Sequence, residues 1–311
     1  MKRHSRRDFS KLLLQTTCAV SAAGWTVNAR AIEPFRRSGP AHFQLSLAAY
    51  SFRDFFKDSN HPQKPSGSDR QMDMFKFVDY CAEHGCTGAE LTSYYFPAQL
   101  NDAYLIELHR HAFLRGVAIS GTAVGNDFTM PEGPERAREI ALVKTWVDRA
   151  AILGAPHIRV FAGAGKSVSA GEARRRCIGA LEECGDYAGK KGVFLGLENH
   201  GGIVAEPQGM LEIVRAVKSK WVGVNLDTGN FHSSPYEDLA ACAPYAVNVQ
   251  YKTDLKFKED KRAQPANPSR IIRILRDANY QGYVALEYEG SEDPWTAVPR
   301  HLKELQAAFA G

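Results

Sequence analysis

Eight short apolar runs of strand character alternate with eight amphipathic stretches of helical period, and that alternation limits the chain to very few folds. The runs fall at 43–49, 87–91, 117–122, 157–161, 193–197, 221–226, 246–250 and 283–287. Helical patterns fill 71–84, 101–115, 134–153, 170–190, 207–219, 235–242, 268–278 and 294–309. A strand followed by a crossover helix returns the chain to the same end of the sheet, so the strands must be parallel. An open doubly wound sheet would satisfy this, but its Gly-rich dinucleotide fingerprint after the first strand is absent. The expected fold is therefore an α/β, single-domain (β/α)8 TIM barrel over residues 43–311. Pro134, Pro207, Pro235, Pro268 and Pro294 open helices, and glycines follow helix ends at Gly85, Gly116, Gly154 and Gly192.

The first 31 residues read as a removable segment, with an expected mature start at Ile32 and a linker over 32–42. A basic run from Ser5 to Lys11 precedes an apolar stretch from Leu12 to Val27 and an Ala29-Arg30-Ala31 cleavage pattern. Ser-Arg-Arg-x-Phe-x-Lys resembles the twin-arginine export signal, with Ser10 in place of the usual Leu. The resemblance implies recognition by the twin-arginine export machinery and a periplasmic or secreted protein. Gln15, Thr16 and Thr17 interrupt the apolar stretch, which is too short for a spanning helix, so no stable membrane anchor is expected.

Six of the 39 basic groups and one of the 35 acidic groups lie in that segment, leaving a near-neutral body of 33 against 34. Such a body has no electrostatic footprint for nucleic acid. Cys81, Cys86, Cys177, Cys184 and Cys242 form no Cys-x-x-Cys and read as small buried apolar side chains. The sequence leaves monomer and homo-oligomer equally open.

A barrel of this kind carries its active site at the C-terminal ends of its strands. In order, those ends offer Tyr50 and Arg53, Glu90, Arg159, Glu198-Asn199-His200, Asp227 with Asn230, Gln250 with Lys252, and Glu287. The last four strands each end in a carboxylate or amide oxygen. Carboxylates converging at one mouth repel unless a cation neutralises them. Glu198, Asp227, Gln250 and Glu287 are the expected ligands of a divalent metal, and an all-oxygen donor set favours Mn2+, with Mg2+ or Co2+ as alternatives.

These residues resemble the sugar phosphate isomerase/epimerase-like barrels related to xylose isomerase, a family that includes ketose 3-epimerases, inosose dehydratase and the abasic-site endonuclease. Leu197-Glu198-Asn199-His200, Leu226-Asp227-Thr228-Gly229-Asn230 and Ala285-Leu286-Glu287 carry the resemblance, which runs from Phe43 to the C-terminus. It places the family's metal-binding residues on Glu198, Asp227 and Glu287. Two positions depart from it: Gln250 stands where the family commonly has His, and Asn230 where His is frequent. The endonuclease branch needs more His ligands than His200 and His232 supply at strand ends.

The chemistry these parts imply is proton transfer beside a carbonyl of a small carbohydrate, with Glu198 and Glu287 moving the proton and His200 handling oxygen. Tyr50, Arg53, Glu90, Arg159, Asn230 and Lys252 are the expected substrate contacts, Arg159 serving equally well as a salt bridge that holds the carboxylates. A lyase or hydrolase of a 3-keto glycoside and a non-catalytic carbohydrate-binding barrel are the competing expectations. Polar segments 54–70 and 253–267 would rise over the mouth, the first either as a lid with Phe52, Phe55 and Phe56 stacking on sugar or as a plain disordered loop.

Overall fold

The computed structural model describes residues 32–58, 70–165, 168–260 and 262–311. The expected signal peptide, and residues 59–69 of the first polar segment, lie outside them. Eight parallel strands close into a barrel: β1 (His42–Ala48), β2 (Gly88–Thr92), β3 (Ala118–Ala123), β4 (His157–Val160), β5 (Phe194–Glu198), β6 (Val222–Asp227), β7 (Ala246–Tyr251) and β10 (Gln281–Leu286). The two remaining strands, β8 (Asp254–Leu255) and β9 (Gln264–Pro265), pair antiparallel as a small ribbon above β7. Helices α1 (Met74–Glu83), α2 (Asp102–Leu114), α3 (Pro134–Leu153), α4 (Ala170–Gly189), α5 (Pro207–Ala216), α6 (Pro235–Cys242), α7 (Pro268–Asp277) and α8 (Pro294–Ala310) wrap the outside. None of the described helices is long and apolar enough to cross a membrane.

Barrel-strand ends agree with the sequence reading to within two residues, and helix ends to within three. The first helix starts late because Asp73 caps it, its Oδ1 accepting from the Lys76 amide at 2.9 Å. The five cysteines after the N-terminal segment are free and buried, as expected of small apolar side chains.

Side-chain alternation explains what reaches the mouth. On β7, Asn248 and Gln250 climb the barrel interior, followed by Lys252 just past its end, while Val249 and Tyr251 pack outward among apolar side chains. On β6, Asn225 and Asp227 face inward, and Val224 and Leu226 outward. On these two strands the polar side chains therefore all point into the barrel, and the last of them stand at its C-terminal end.

Phe52, Phe55 and Phe56 do not stack over the mouth. Phe52 and Phe56 are fully buried, Phe55 nearly so. Phe56 stacks on Tyr95 at 4.5 Å between centroids, and Phe52 meets Tyr80 at 4.9 Å and Trp295 at 5.0 Å. Burying three rings between α1 and α8 gains more than exposing them to a wet cavity. The second polar segment is not a plain loop either, since β8 and β9 brace it.

Gly192 closes the α4–β5 turn at φ +74°, with no other atom within 4 Å of the place a Cβ would occupy. Gly192→Ala therefore isolates the backbone cost, and urea unfolding should show a loss of about 1 kcal/mol.

Candidate active site

A cavity of about 260 Å³ opens at the C-terminal mouth of the barrel. Of the residues singled out in the sequence, Tyr50, Arg159, Glu198, His200, Asn230, Lys252 and Glu287 line it. Glu198, at the end of β5, is held from two sides: Arg159 Nε lies 2.8 Å from Oε2, and Asn230 Nδ2 donates to Oε1 at 3.0 Å. Arg159 also donates to the Val124 carbonyl at 2.9 Å, and its guanidinium sits 4.0 Å from the centre of the Phe161 ring. It thus acts as a buried salt bridge to a carboxylate while still facing the cavity.

Asp227 lies just below. Its Oδ1 accepts from the Gly229 amide at 2.8 Å, whereas Oδ2 is buried with no hydrogen bond. Asn199 clamps the Asp227 backbone, donating to its carbonyl and accepting from its amide, both at 2.9 Å. That clamp fixes the ends of β5 and β6 against each other. Lys252 Nζ reaches Glu287 at 3.0 Å, Glu289 at 2.9 Å and Asp227 at 3.5 Å.

Gln250 and Glu90 sit deeper, in a closed ring of side chains. Gln250 Nε2 donates to Glu90 Oε1 at 2.6 Å, and Asn248 Nδ2 donates to Glu90 Oε2 at 2.7 Å. Asn248 Nδ2 also donates to Asn225 Oδ1 at 2.8 Å, and Asn225 Nδ2 to Gln250 Oε1 at 2.6 Å. Glu90 is fully buried and does not line the cavity. Arg53, expected as a substrate contact, does not line the cavity either; its Nη1 donates to the Tyr288 carbonyl at 3.2 Å, and its guanidinium lies 5.3 Å from the Tyr50 ring centre.

A family profile of the xylose isomerase-like TIM barrel matches residues 78–305. The chain belongs to that family. Among curated proteins the sequence finds no match. Among solved structures, a D-psicose 3-epimerase in the presence of D-fructose is 14% identical, with a TM-score of 0.67 over 86% of this chain and 97% of that one. A 3-keto-D-glucoside 4-epimerase from E. coli is 16% identical, with a TM-score of 0.61 over 85% and 99%. A xylose isomerase-like TIM barrel protein from Mycobacterium smegmatis, in complex with magnesium, is 19% identical, with a TM-score of 0.65 over 88% and 97%. At these identities the likeness speaks for the fold.

In this xylose isomerase-like barrel, Tyr94, Phe161 and Glu289 line the cavity without having been singled out from the sequence. Phe161 packs on the His200 ring at 4.6 Å. Period two would have found two of them: Phe161 is two residues beyond Arg159, and Glu289 two beyond Glu287. Tyr94 follows β2 in a short helical turn, where no such period applies.

Burial dominates the electrostatics. It pushes the Glu198 carboxyl up to about 8 against the pull of Arg159, and Asp227 up to about 7 against the pull of Lys252. Glu90 is likewise pushed up to about 7 by burial. Burial lowers His200, so its imidazole is neutral at neutral pH. Burial pulls Lys252 down, but Asp227, Glu287 and Glu289 outweigh it and hold the ammonium charged.

Carboxyls raised on folding bind protons more readily in the native chain, so the stability they contribute is present at acid pH and lost as pH rises through the folded values. Metal-free protein should therefore lose stability between about pH 5 and pH 8. Glu90→Gln, neutral throughout, should remove about 2 kcal/mol of that slope. Urea unfolding at both ends of the range measures it; an identical slope in the variant would refute the Glu90 contribution.

Proposed function

We propose that the protein is a divalent-metal-dependent isomerase or epimerase of a neutral keto-sugar, working by proton transfer next to the carbonyl. The observation that carries this reading is the pair Glu198 and Glu287, which face one small cavity from β5 and β10, strands separated by β6 and β7 in the barrel. A proton taken from carbon on one side of a bound sugar has a second carboxyl on the other side to return it.

The donor chemistry fits a hard divalent cation. Among the described residues at the site, four carboxylates, Glu198, Asp227, Glu287 and Glu289, face two cations, Arg159 and Lys252. With all four ionised the deficit is two charges, an imbalance that the raised Glu198 and Asp227 carboxyls relieve by holding protons and that a divalent cation would relieve in their place; the buried Asp227 Oδ2 has no hydrogen bond. Glu198, Asp227 and Glu287 would hold the ion, and Mn2+ or Mg2+ suits these three carboxylates; Gln250, expected from the sequence as a fourth donor, does not line the cavity, and its carbonyl oxygen already accepts from Asn225 at 2.6 Å. Bound there, the ion would polarise the substrate carbonyl and favour loss of the neighbouring proton.

The chain's own residues do the rest. Arg159 and Asn230 orient Glu198, and Lys252 positions Glu287 and Glu289. Neutral His200 stands beside the cavity ready to exchange a proton with substrate oxygen. Arg159 and Lys252 are already matched to carboxylates, which disfavours a phosphorylated or acidic substrate and favours an uncharged sugar. The same neutral His200 suits β-elimination, which makes a lyase of 3-keto glycosides the alternative. The Arg6-Arg7 segment supports a working place outside the cytosol.

Incubation with keto-sugars in D2O tests the reading. The expected result is deuterium at the carbon beside the carbonyl, lost on chelation and restored by Mn2+. Turnover without label would replace proton transfer by a hydride shift, and two product fragments would identify the lyase.

A further inference from the structure

Three carboxylates converge on one ammonium in this site. Lys252 Nζ lies within 3.5 Å of Asp227, Glu287 and Glu289, and its side chain is only 10% exposed. Among the described residues no three His, Cys, Asp or Glu side chains stand grouped to receive an ion. Two of the three carboxylates that would hold the ion, Asp227 and Glu287, are instead paired with a lysine. Resting on the metal reading above, we infer that Lys252 is a resident counter-ion which a divalent cation displaces toward Glu289.

The three contacts differ in ways that favour outward movement. The Asp227 contact is the longest and makes no hydrogen bond to Oδ2. Asp227 and Glu287 are 1% and 8% exposed, whereas Glu289 is 44% exposed and stands at the rim. An ammonium sharing buried carboxylates with a divalent ion would feel strong repulsion at low dielectric, and Glu289 gives it a retreat that keeps one partner.

Residue 229 provides the space. A Cβ there would lie 2.6 Å from Lys252 Cγ and 2.8 Å from Lys252 Cβ, so only glycine lets the lysine stem pass over the β6 turn. A compact charge on a flexible four-carbon stem can make this move, whereas a planar guanidinium is held in a fixed fork. Until the ion arrives, the ammonium keeps Asp227 and Glu287 compensated; afterwards it sits at the edge of the substrate cavity.

Mn2+ titration of metal-stripped, full-length protein by calorimetry tests this, using wild type, Lys252→Met, Glu289→Gln and the double variant. Lys252→Met should tighten Mn2+ by about tenfold or more, since no cation has to be expelled. Glu289→Gln should weaken Mn2+ several-fold alone, yet have little effect in the Lys252→Met background, because its role is to receive the lysine. Equal weakening in both backgrounds would reduce Glu289 to a distant charge and overturn the inference. Wild-type binding with no tightening in Lys252→Met would overturn it as well, leaving the metal reading intact. No Mn2+ binding by either protein would remove the metal reading and the displacement together. Should Lys252→Met fail to fold, Lys252→Gln replaces it in both backgrounds, and unchanged affinity in Glu289→Gln alone refutes displacement.

Discussion

Glu198→Gln and Glu287→Gln should each slow turnover about 10²-fold or more, a barrier increase of about 2.7 kcal/mol. Both changes are isosteric and remove the proton-accepting oxygen. Glu198 keeps an acceptor for Asn230 in the glutamine form, so its position should survive. The two variants should also differ in kind. If each carboxyl serves one face of the sugar, each variant should retain solvent exchange at the carbon on its intact side while net epimerisation stops. NMR of the recovered substrate in D2O reads both quantities. Near wild-type turnover in either variant would remove that carboxyl from the reaction.

Arg159→Met should cost about 1–3 kcal/mol of stability at neutral pH, and more as pH rises above 8, where Glu198 would have to ionise without its cation. The side chains of Arg159 and Glu198 are each 5% exposed, and removing the cation strands the carboxylate unless it takes up a proton. The methionine also forfeits the bond to the Val124 carbonyl and the stacking on Phe161. Combining it with Glu198→Gln should recover part of the loss, since the stranded charge is then gone. Denaturant unfolding of the single and double variants supplies the comparison; additive losses would show that the pair is not coupled.

Most of the architecture was legible in the chain because a barrel repeats one local rule. Apolar β-rich runs between Pro-opened, Gly-closed helices specify each unit without reference to distant residues. The candidate site was legible to the extent that it obeys the same rule: Glu198, Asp227 and Glu287 are strand-end residues, and all three reach the mouth region. What the sequence did not disclose are relations across the barrel. Glu90 reads as a strand-end contact, but its partners Asn248 and Gln250 lie 158 and 160 residues away. Lys252 reads as a substrate contact, and no local pattern announces that it spans β6 and the residues just past β10. The aromatic triplet near residue 52 failed for a different reason: polar neighbours in sequence suggested a loop tip, whereas tertiary packing against Trp295 and Tyr80 decided the outcome.

The closed ring of Glu90, Gln250, Asn225 and Asn248 has a consequence for how the molecule is assembled. Glu90 belongs to β2 and its two donors to β7, which is separated from β2 around the wall by β1 and β10. During synthesis β2 emerges long before β7, so the Glu90 carboxyl has no amide to receive it until most of the chain exists. A nascent N-terminal half would have to bury an unsatisfied acid at its centre, at a cost that a partial barrel cannot meet. Such a half should stay loosely ordered, with β2 wet on its inner side, and closure should come late and as one event. By the same reasoning this barrel is a poor subject for splitting into independently folding halves, whatever the symmetry of its eight units suggests.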